Sequence, residues 1–174
     1  MQAEIDEKFK LSEDGAELYA SIKSMKYLEA CMFETLRKYT PLPLLNRQCA
    51  EDYKVPDSDF IIRKGTPVVI PIFGLQRDPD IYKDPLEFKP ERFLASPSGS
   101  DVEGSYYLPF GEGHRVCIGH RMGKQNTCFQ LALLLSKFNF ELAKNNREEI
   151  RFNPNQLFLQ PIGNIHLKAS IRNH

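Results

Sequence analysis

The order of its segments predicts that this chain forms a mainly helical α+β fold. Apolar residues recur every three or four positions between residues 25 and 39, which is the spacing of one helix face. Short strand-like runs follow between residues 44 and 72, and a second helical segment covers residues 120–137. Helices therefore dominate, with small β pieces between them.

Length and composition fit one globular domain or part of a larger one. The chain has 174 residues, of which 41% are apolar, and its formal net charge is zero. This balance argues against a general nucleic-acid binder. No apolar run reaches the roughly 18 residues that span a bilayer. The charged start, "MQAEIDEKFK", resembles neither a signal peptide nor an anchor.

The four cysteines favour reduced thiols in a cytosol-facing protein over a disulfide framework. They are widely separated, in a chain that is not a small secreted module. No C-x-x-C pair occurs, which argues against a zinc ribbon or a thioredoxin-like site. The cysteines are Cys31, Cys49, Cys117 and Cys128.

The first third of the chain predicts two helices with a turn between them. Residues 1–10 form the first helix, and "SEDGAE" at residues 12–17 predicts a polar turn. The second helix runs from about Met25 to Tyr39. It ends at "TPLP", because proline cannot continue the hydrogen-bond ladder.

The middle of the chain predicts short strands and turns. "LLNRQC" is one strand, and "DFIIRKGTPVVIPI" gives two extended runs around Lys64-Gly65, which indicates a hairpin. The proline-containing run "QRDPDIYKDPLEFKPERF" predicts turns with ordered side chains. "LASPSGSDVEGS", residues 94–105, predicts a flexible surface loop.

The last third predicts a buried helix followed by strands. "CFQLALLLSKF", within residues 120–138, is apolar on nearly every side, as in a buried helix. The runs "FNFEL" and "NIHLKASI" have strand-like composition.

One cysteine lies in a loop of unusual composition. The pattern is F-G-x-G-x-R-x-C-x-G, and chance agreement at so many fixed positions is far below about one in a thousand. Its members are Phe110, Gly111, Gly113, Arg115, Cys117 and Gly119.

The chemistry of this loop suits an iron ligand. A thiolate that binds haem iron must be deprotonated, shielded from water and hydrogen-bonded, and backbone N–H groups of a glycine-rich loop supply such bonds. Cys117 precedes a helix, whose N-terminal dipole favours an anion. Gly119 lets that helix approach a flat macrocycle, Phe110 covers the sulfur, and Arg115 can pair with a haem propionate.

This loop resembles the haem-binding signature of cytochromes P450. The resemblance implies that residues 1–174 are an incomplete P450 domain, the C-terminal, proximal haem-side part from the J and K helices onward. The distal helix and the N-terminal half are expected to be absent, because nothing matches the distal A-G-x-x-T pattern. The run "EDGAELYAS" is polar and wrongly placed for that helix.

The family also has an E-x-x-R pair that a later arginine locks. Here "FETLR" supplies Glu34 and Arg37, which share one helix face. Taken alone, they most often form a solvated surface pair. The resemblance adds Arg92 from "KPERF" and implies a buried triad that holds the cysteine loop against the helix.

A further segment, "YTPLPLLNR", resembles the family's link to the haem edge. Arg47 then stands at a propionate-binding position, although an exposed edge-strand arginine is the alternative. Two apolar groups are expected either to line a cavity for a lipophilic substrate or to form ordinary core. They are Leu42, Leu44, Leu45, Leu157, Phe158 and Leu159.

The sequence departs from the family pattern at two positions. Gln76 replaces a frequent histidine, which we expect to be tolerated, and His114 replaces a frequent proline. A zinc site is the alternative at the loop, with four candidate ligands. They are His114, Cys117, His120 and Cys128.

The resemblance implies a haem-thiolate monooxygenase with haem b and Cys117 as axial ligand. It would insert one oxygen atom of O2 into a lipophilic molecule with electrons from NADPH. Expected partners are NADPH–cytochrome P450 reductase, approaching Arg115, Arg121 and Lys124, and cytochrome b5, with no nucleic acid. The expected location is the cytosolic face of the endoplasmic reticulum membrane, through an anchor outside this chain.

Three further expectations accompany this function. "IPIFGLQRDPDIYKDPLEFKPERF" resembles microsomal members, most closely the insect xenobiotic-type branch. Residues 1–174 alone are expected to be inactive. The competing functions are a reductase-independent P450-type isomerase or dehydratase, and a non-catalytic haem-binding fragment or pseudogene product.

Overall fold

The computed structural model describes residues 1–10, 14–96, 106–144 and 150–172. Its helices are α1 (Gln2–Lys10), α2 (Gly15–Lys23), α3 (Lys26–Lys38), α4 (Ile72–Leu75), α5 (Glu91–Ala95) and α6 (His120–Lys137), with a 3-10 turn at Gly113–Arg115. Its strands are β1 (Leu45–Gln48), β2 (Tyr53–Lys54), β3 (Ile61–Ile62), β4 (Pro67–Ile70), β5 (Phe138–Leu142) and β6 (Leu167–Ile171). The mainly helical α+β prediction is confirmed.

The helices α1, α2 and α3 all pack against α6. Their shared core is aliphatic, and it orders the helix that follows the cysteine loop. Glu4 strengthens this packing, because its carboxylate accepts hydrogen bonds from the first N–H groups of α3, at Tyr27 and Leu28. The core residues are Ile5, Ile22, Met25, Leu28 and Ala132.

The polar turn predicted at "SEDGAE" is wrong over its described part. Asp14 is instead the N-cap of α2, and its carboxylate accepts hydrogen bonds from the backbone N–H groups of Ala16 and Glu17, both at 2.8 Å. Aspartate is a strong N-cap residue, so a run that resembles a turn begins a helix here. The helix is retained because Ile22 is buried in the shared core.

The strands form three separate two-stranded antiparallel sheets, β1–β4, β2–β3 and β5–β6. The predicted strands are present, but the hairpin around Lys64-Gly65 is wrong, because β3 and β4 pair with different partners. Thr66 N–H bonds Arg63 O at 3.1 Å, and only Gly65 of the two central residues has a positive φ, +86°. That is a type II turn, whose twist splays the flanking strands.

Helix α6 is buried on one side only, so the prediction of all-round burial is wrong for this chain. Ala132 and Ser136 are buried, with Ala132 in the core shared with α1 to α3, whereas Leu134 is 47% exposed. Helices α1 to α3 cover the inner face, and no described residue covers the outer one. The predicted surface loop lies mostly outside the described residues, and its first residues, Leu94 and Ala95, end α5.

None of the described helices has both the length and the apolar content to cross a bilayer.

Candidate functional site

The charged pair on α3 is fully buried. Arg37 donates from Nε to Glu34 Oε2 at 2.7 Å and from Nη2 to Glu34 Oε1 at 2.9 Å, and both side chains are 0% exposed. The three-residue spacing places them on one helix face, so the guanidinium meets the carboxylate in a two-bond arrangement. The alternative of a solvated surface pair is therefore excluded.

A second arginine completes this cluster from α5. Arg92 Nε lies 3.3 Å from both carboxylate oxygens of Glu34, and the Lys89 N–H bonds Oε1 at 2.9 Å. The carboxylate thus accepts from two arginines and one backbone amide. We call Glu34, Arg37 and Arg92 the ion cluster.

The remaining donors of Arg37 bind distant backbone carbonyls. Nη1 donates to Gln76 O at 2.6 Å, and Nη2 donates to Pro85 O at 2.8 Å and Glu87 O at 3.2 Å. The guanidinium also lies over the buried ring of Tyr82, 5.2 Å from its centroid. Burial raises the pKa of Tyr82 to about 12, so its hydroxyl stays neutral at physiological pH. Arg37 therefore crosslinks α3 to the proline-containing run.

The side chain of Gln76 connects the ion cluster to the cysteine loop. It is fully buried, and its Nε2 donates to Arg37 O at 3.0 Å and to Leu36 O at 3.2 Å. Its Oε1 accepts from the Leu108 N–H at 3.0 Å. The sequence marked Gln76 as a departure from the family pattern, but gave no signal of this linking position.

Aromatic side chains support the start of the same loop. The Tyr107 hydroxyl donates to Phe33 O on α3 at 3.1 Å, and its ring meets that of Phe93 at 4.9 Å. Burial raises the pKa of Tyr107, so the hydroxyl remains a donor. Phe93 is the last residue of the "KPERF" segment and Tyr107 lies just before the cysteine loop, yet no sequence pattern predicted a role for either residue. Their adjacency to those motifs was the available signal.

The cysteine loop is closed by its own backbone. The Cys117 N–H donates to Phe110 O at 2.8 Å, and Gly111 and Gly113 have φ values of +70° and +74°. Residues with side chains rarely adopt these values, which accounts for glycine at both positions. Gly119 is the N-cap residue of α6, so Cys117 lies just before the positive end of a helix dipole.

The thiol of Cys117 faces outward. Cys117 is exposed, and its neighbour Ile118 is 103% exposed. The expected N–H bonds to the sulfur are not formed among the described residues. The N–H groups of Gly111, Val116 and Cys117 donate instead to carbonyl oxygens within the loop.

Two arginines border this open surface differently. Arg47 on β1 is half-buried, and its Nη2 lies 3.4 Å from the position a Cβ would take at Gly111. Arg115 is exposed in the loop itself. Neither forms an ion pair with any described carboxylate, so both remain available to an anionic ligand.

The four residues considered for zinc do not meet. Among the described residues, no three His, Cys, Asp or Glu side chains are placed to hold a metal ion together. Cys128 is turned toward α3, where its Sγ lies 3.8 Å from Met32 Sδ. The zinc alternative is therefore wrong.

Comparison with known proteins agrees with this geometry. The model of the family described as "Cytochrome P450" matches residues 1–169. The chain belongs to the cytochrome P450 family. Its similar relatives include "Probable cytochrome P450 6d5" of Drosophila melanogaster, 45% identical over 98% of this chain, and "Cytochrome P450 6d3" of Musca domestica, 44% identical over 98%. "Cytochrome P450 6B2" of Helicoverpa armigera is 41% identical over 95%.

The chain spans about a third of the length of these P450 relatives: 33%, 33% and 32%. The fold is accordingly the incomplete P450 fold that the sequence predicts. The relatives named here are insect proteins, as the resemblance to the insect branch implies.

The P450 family implies a haem cofactor, and the residues of this loop fit such a group. The exposed thiol stands beside two exposed apolar side chains, Val116 and Ile118. Nothing lies within 4 Å of a Cβ placed at Gly119, so the surface is open beside the thiol. With Arg47 and Arg115 at its border, this surface suits a flat apolar group that carries carboxylates.

The structure also joins the two apolar groups expected near the substrate of the P450. The Leu159 N–H donates to Pro41 O at 2.8 Å, which brings the later group beside the earlier one. Leu157 and Phe158 are exposed, and Leu42 is half-buried. They therefore do not form ordinary core within the described residues.

Proposed function

We propose that the whole protein is a haem-thiolate monooxygenase in which Cys117 is the axial ligand of the haem iron. The observation that carries this proposal is the outward-facing thiol, on a glycine-shaped loop at the N-terminus of α6, in a chain of the P450 family. The apolar neighbours Val116 and Ile118 favour a ligand that excludes water there.

In this proposal the residues of the chain divide into three roles. Cys117 binds the iron, and electron donation by a cysteine ligand promotes O–O cleavage. Arg47 and Arg115 hold the propionates, and Phe110 with the loop glycines shapes the contact with the haem b ring. The ion cluster keeps the loop in place and takes no part in the chemistry.

We further propose the overall reaction and its partners. One atom of O2 enters a lipophilic molecule and the other leaves as water, with two electrons from NADPH through NADPH–cytochrome P450 reductase. The exposed Arg115 and Arg121, with Lys124 beside them, are candidate contacts for the acidic surface of such a partner. Cytochrome b5 is a second candidate partner at the same face.

The substrate class, location and domain organisation belong to the whole protein. The exposed apolar residues of the two joined segments favour a lipophilic substrate. The resemblance to the microsomal, insect xenobiotic-type branch favours a xenobiotic-type enzyme at the cytosolic face of the endoplasmic reticulum membrane. Residues 1–174 then form the proximal part of the domain, and the distal helix and the anchor belong to other segments of the whole protein.

The test is a haem titration of the whole protein, followed by a carbon monoxide difference spectrum. The wild type is expected to give the thiolate-type spectrum, and Cys117→Ser to lose it because a hydroxyl is a poor iron ligand. Cys49→Ser is the matched control, since Cys49 Sγ bonds the carbonyls of Glu51 and Ile62, away from the cysteine loop. A thiolate-type spectrum in Cys117→Ser would refute the assignment.

Turnover assays then separate the monooxygenase from its competitors. Product formation that requires both NADPH and the reductase is expected. Product formation without either would indicate an isomerase or dehydratase. A thiolate-type spectrum with no turnover by the whole protein would indicate a haem-binding protein without catalysis.

A further inference from the structure

We infer that Gln76 is a positioning residue, which sets the place of the cysteine loop relative to α3 and thereby the coordination of the iron by Cys117. This inference rests on the proposed function for its haem readout. It goes beyond it by assigning a role to a residue outside the loop and outside the ion cluster.

The Gln76 side-chain amide binds two backbone carbonyls at the C-terminal end of α3. The last four carbonyls of a helix lack partners within it, and Leu36 and Arg37 lie in that last turn. Both carbonyls accept from Gln76 Nε2, at 3.2 Å and 3.0 Å. One buried amide group therefore provides hydrogen-bond donors for two carbonyls at the C-terminus of the helix that carries Glu34 and Arg37.

The same amide is connected to the cysteine loop through Leu108. Gln76 Oε1 accepts from the Leu108 N–H at 3.0 Å, and Leu108 O accepts from the Gly111 N–H at 3.0 Å. Phe110, between them, accepts from the Cys117 N–H at 2.8 Å. The amide is thus linked to the Cys117 backbone by three hydrogen bonds and a short stretch of chain.

This buried position requires a side chain that both donates and accepts hydrogen bonds. The side chain must donate twice toward helix carbonyls and accept once from an amide, in a site that excludes water. A neutral amide does this, and a carboxylate lacks the donors. The backbone carbonyl of Gln76 also accepts from Arg37 Nη1 at 2.6 Å. Both the backbone and the side chain of Gln76 therefore bind the C-terminal turn of α3.

The test compares Gln76→Met and Gln76→His in the whole protein, titrated with haem. Methionine keeps the length but removes every side-chain hydrogen bond, and neutral histidine keeps one donor and one acceptor. The readout is the ratio of thiolate-type to other bound haem in the carbon monoxide spectrum. We expect this ratio to fall about five-fold or more in Gln76→Met, because the Leu108 N–H and two helix carbonyls lose their side-chain partner, and one such unpaired buried group already implies that factor.

Gln76→His is expected to keep the ratio within about two-fold of the wild type, because the link to Leu108 survives. Gln48→Met is the matched control and is expected to change nothing, since the exposed Gln48 side chain bonds a surface carbonyl, Gly65 O. Equal losses in the methionine and histidine variants, or no loss in Gln76→Met, would overturn the inference.

Amide hydrogen exchange keeps the two proposals distinguishable. The Leu108 amide is expected to exchange at least about five-fold faster in Gln76→Met than in the wild type, with or without haem. A wild type that lacks the thiolate-type spectrum would refute the proposed function alone. Unchanged exchange at Leu108 would refute the Gln76 link alone. If Gln76→Met does not fold, the Leu108 amide must be protected from exchange in the wild type and stay within about two-fold of that protection in Gln76→His, or the inference fails.

Discussion

The ion cluster and the cysteine loop are neighbours with opposite relations to solvent. Glu34 and Arg37 are 0% exposed, and their partners are side chains and carbonyls of this chain. Cys117 is exposed, and the N–H groups of Gly111, Val116 and Cys117 donate to backbone carbonyls within residues 108–117. One region is completed by contacts within the chain, whereas the other presents an exposed thiol beside exposed apolar side chains.

This difference separates two kinds of mutational effect. A change in the ion cluster strands a buried charge, so it should act on folding. A change at the open face of the loop removes little that the folded chain uses, so it should act on haem binding. Gln76 lies between them, and its variants should affect the loop more than the cluster.

The largest effect is expected from Arg37→Met. This change leaves the Glu34 carboxylate buried with Arg92 as its remaining charged partner, and it removes the bonds to Gln76, Pro85 and Glu87. Breaking a buried pair from one side costs about 3–5 kcal/mol. That is a large part of the roughly 5–15 kcal/mol that stabilises a typical domain. Urea unfolding followed by circular dichroism measures the loss.

The matched control is Arg63→Met. Arg63 makes an equally short ion pair with Asp52, at 2.6 Å, but both side chains are at least half exposed. Exposed pairs contribute about 1 kcal/mol or less, so this variant should unfold near the wild-type midpoint. Similar losses in the two variants would mean that burial does not distinguish the regions. If Arg37→Met does not accumulate as folded protein, a fully folded Arg63→Met still supports the contrast.

Residue spacing predicts one feature of the ion cluster, the shared helix face, but not its burial. Spacing alone places Glu34 and Arg37 on one helix face, which is common on exposed helices. Their burial depends on Pro85 and Glu87, about fifty residues away, and no local pattern carries that information. The family resemblance supplied it through Arg92.

The misses in the fold have the same origin in tertiary context. The run around Asp14 has turn composition, but burial of Ile22 stabilises it as a helix. The Lys64-Gly65 pair suggests a hairpin, but β1 and β2 draw the flanking strands apart. The exposed outer face of α6 could not be foreseen, because apolar composition does not tell which surfaces are present to cover it.

A smaller effect should divide the two glycines of the loop. Gly111→Ala places a side chain at φ +70°, with its Cβ 3.4 Å from Arg47 Nη2, and should cost about 1–2 kcal/mol of stability without haem. A Cβ at Gly119 has no atom within 4 Å, and φ there is negative. Gly119→Ala should therefore lower the free energy of unfolding without haem by about 0.5 kcal/mol. Urea unfolding of both variants without haem tests this order.

Haem titration should show a larger effect of Gly119→Ala than urea unfolding does. The space beside Gly119 is open in the folded chain, and the proposal fills it with the macrocycle. Gly119→Ala should therefore weaken haem binding more than it weakens the fold. Unchanged haem affinity in Gly119→Ala would show that the macrocycle does not approach this residue.

The smallest effect in free energy, and the most direct view of the comparison, is the order of thiol alkylation. Cys117 is exposed, whereas Cys31 is 6% exposed and burial raises its pKa to about 11. A raised pKa means that folding favours the neutral thiol. The associated stability is complete below the ordinary thiol pKa of 9.0 and declines as pH rises toward 11.

At pH 8, iodoacetamide should therefore label Cys117 first and Cys31 only on unfolding, as mass spectrometry of the peptides would show. Prior haem binding should protect Cys117 and leave the labelling of Cys49 unchanged. Labelling of Cys31 before Cys117 would contradict both the burial of Cys31 and the exposure of Cys117, since the order of labelling depends on both.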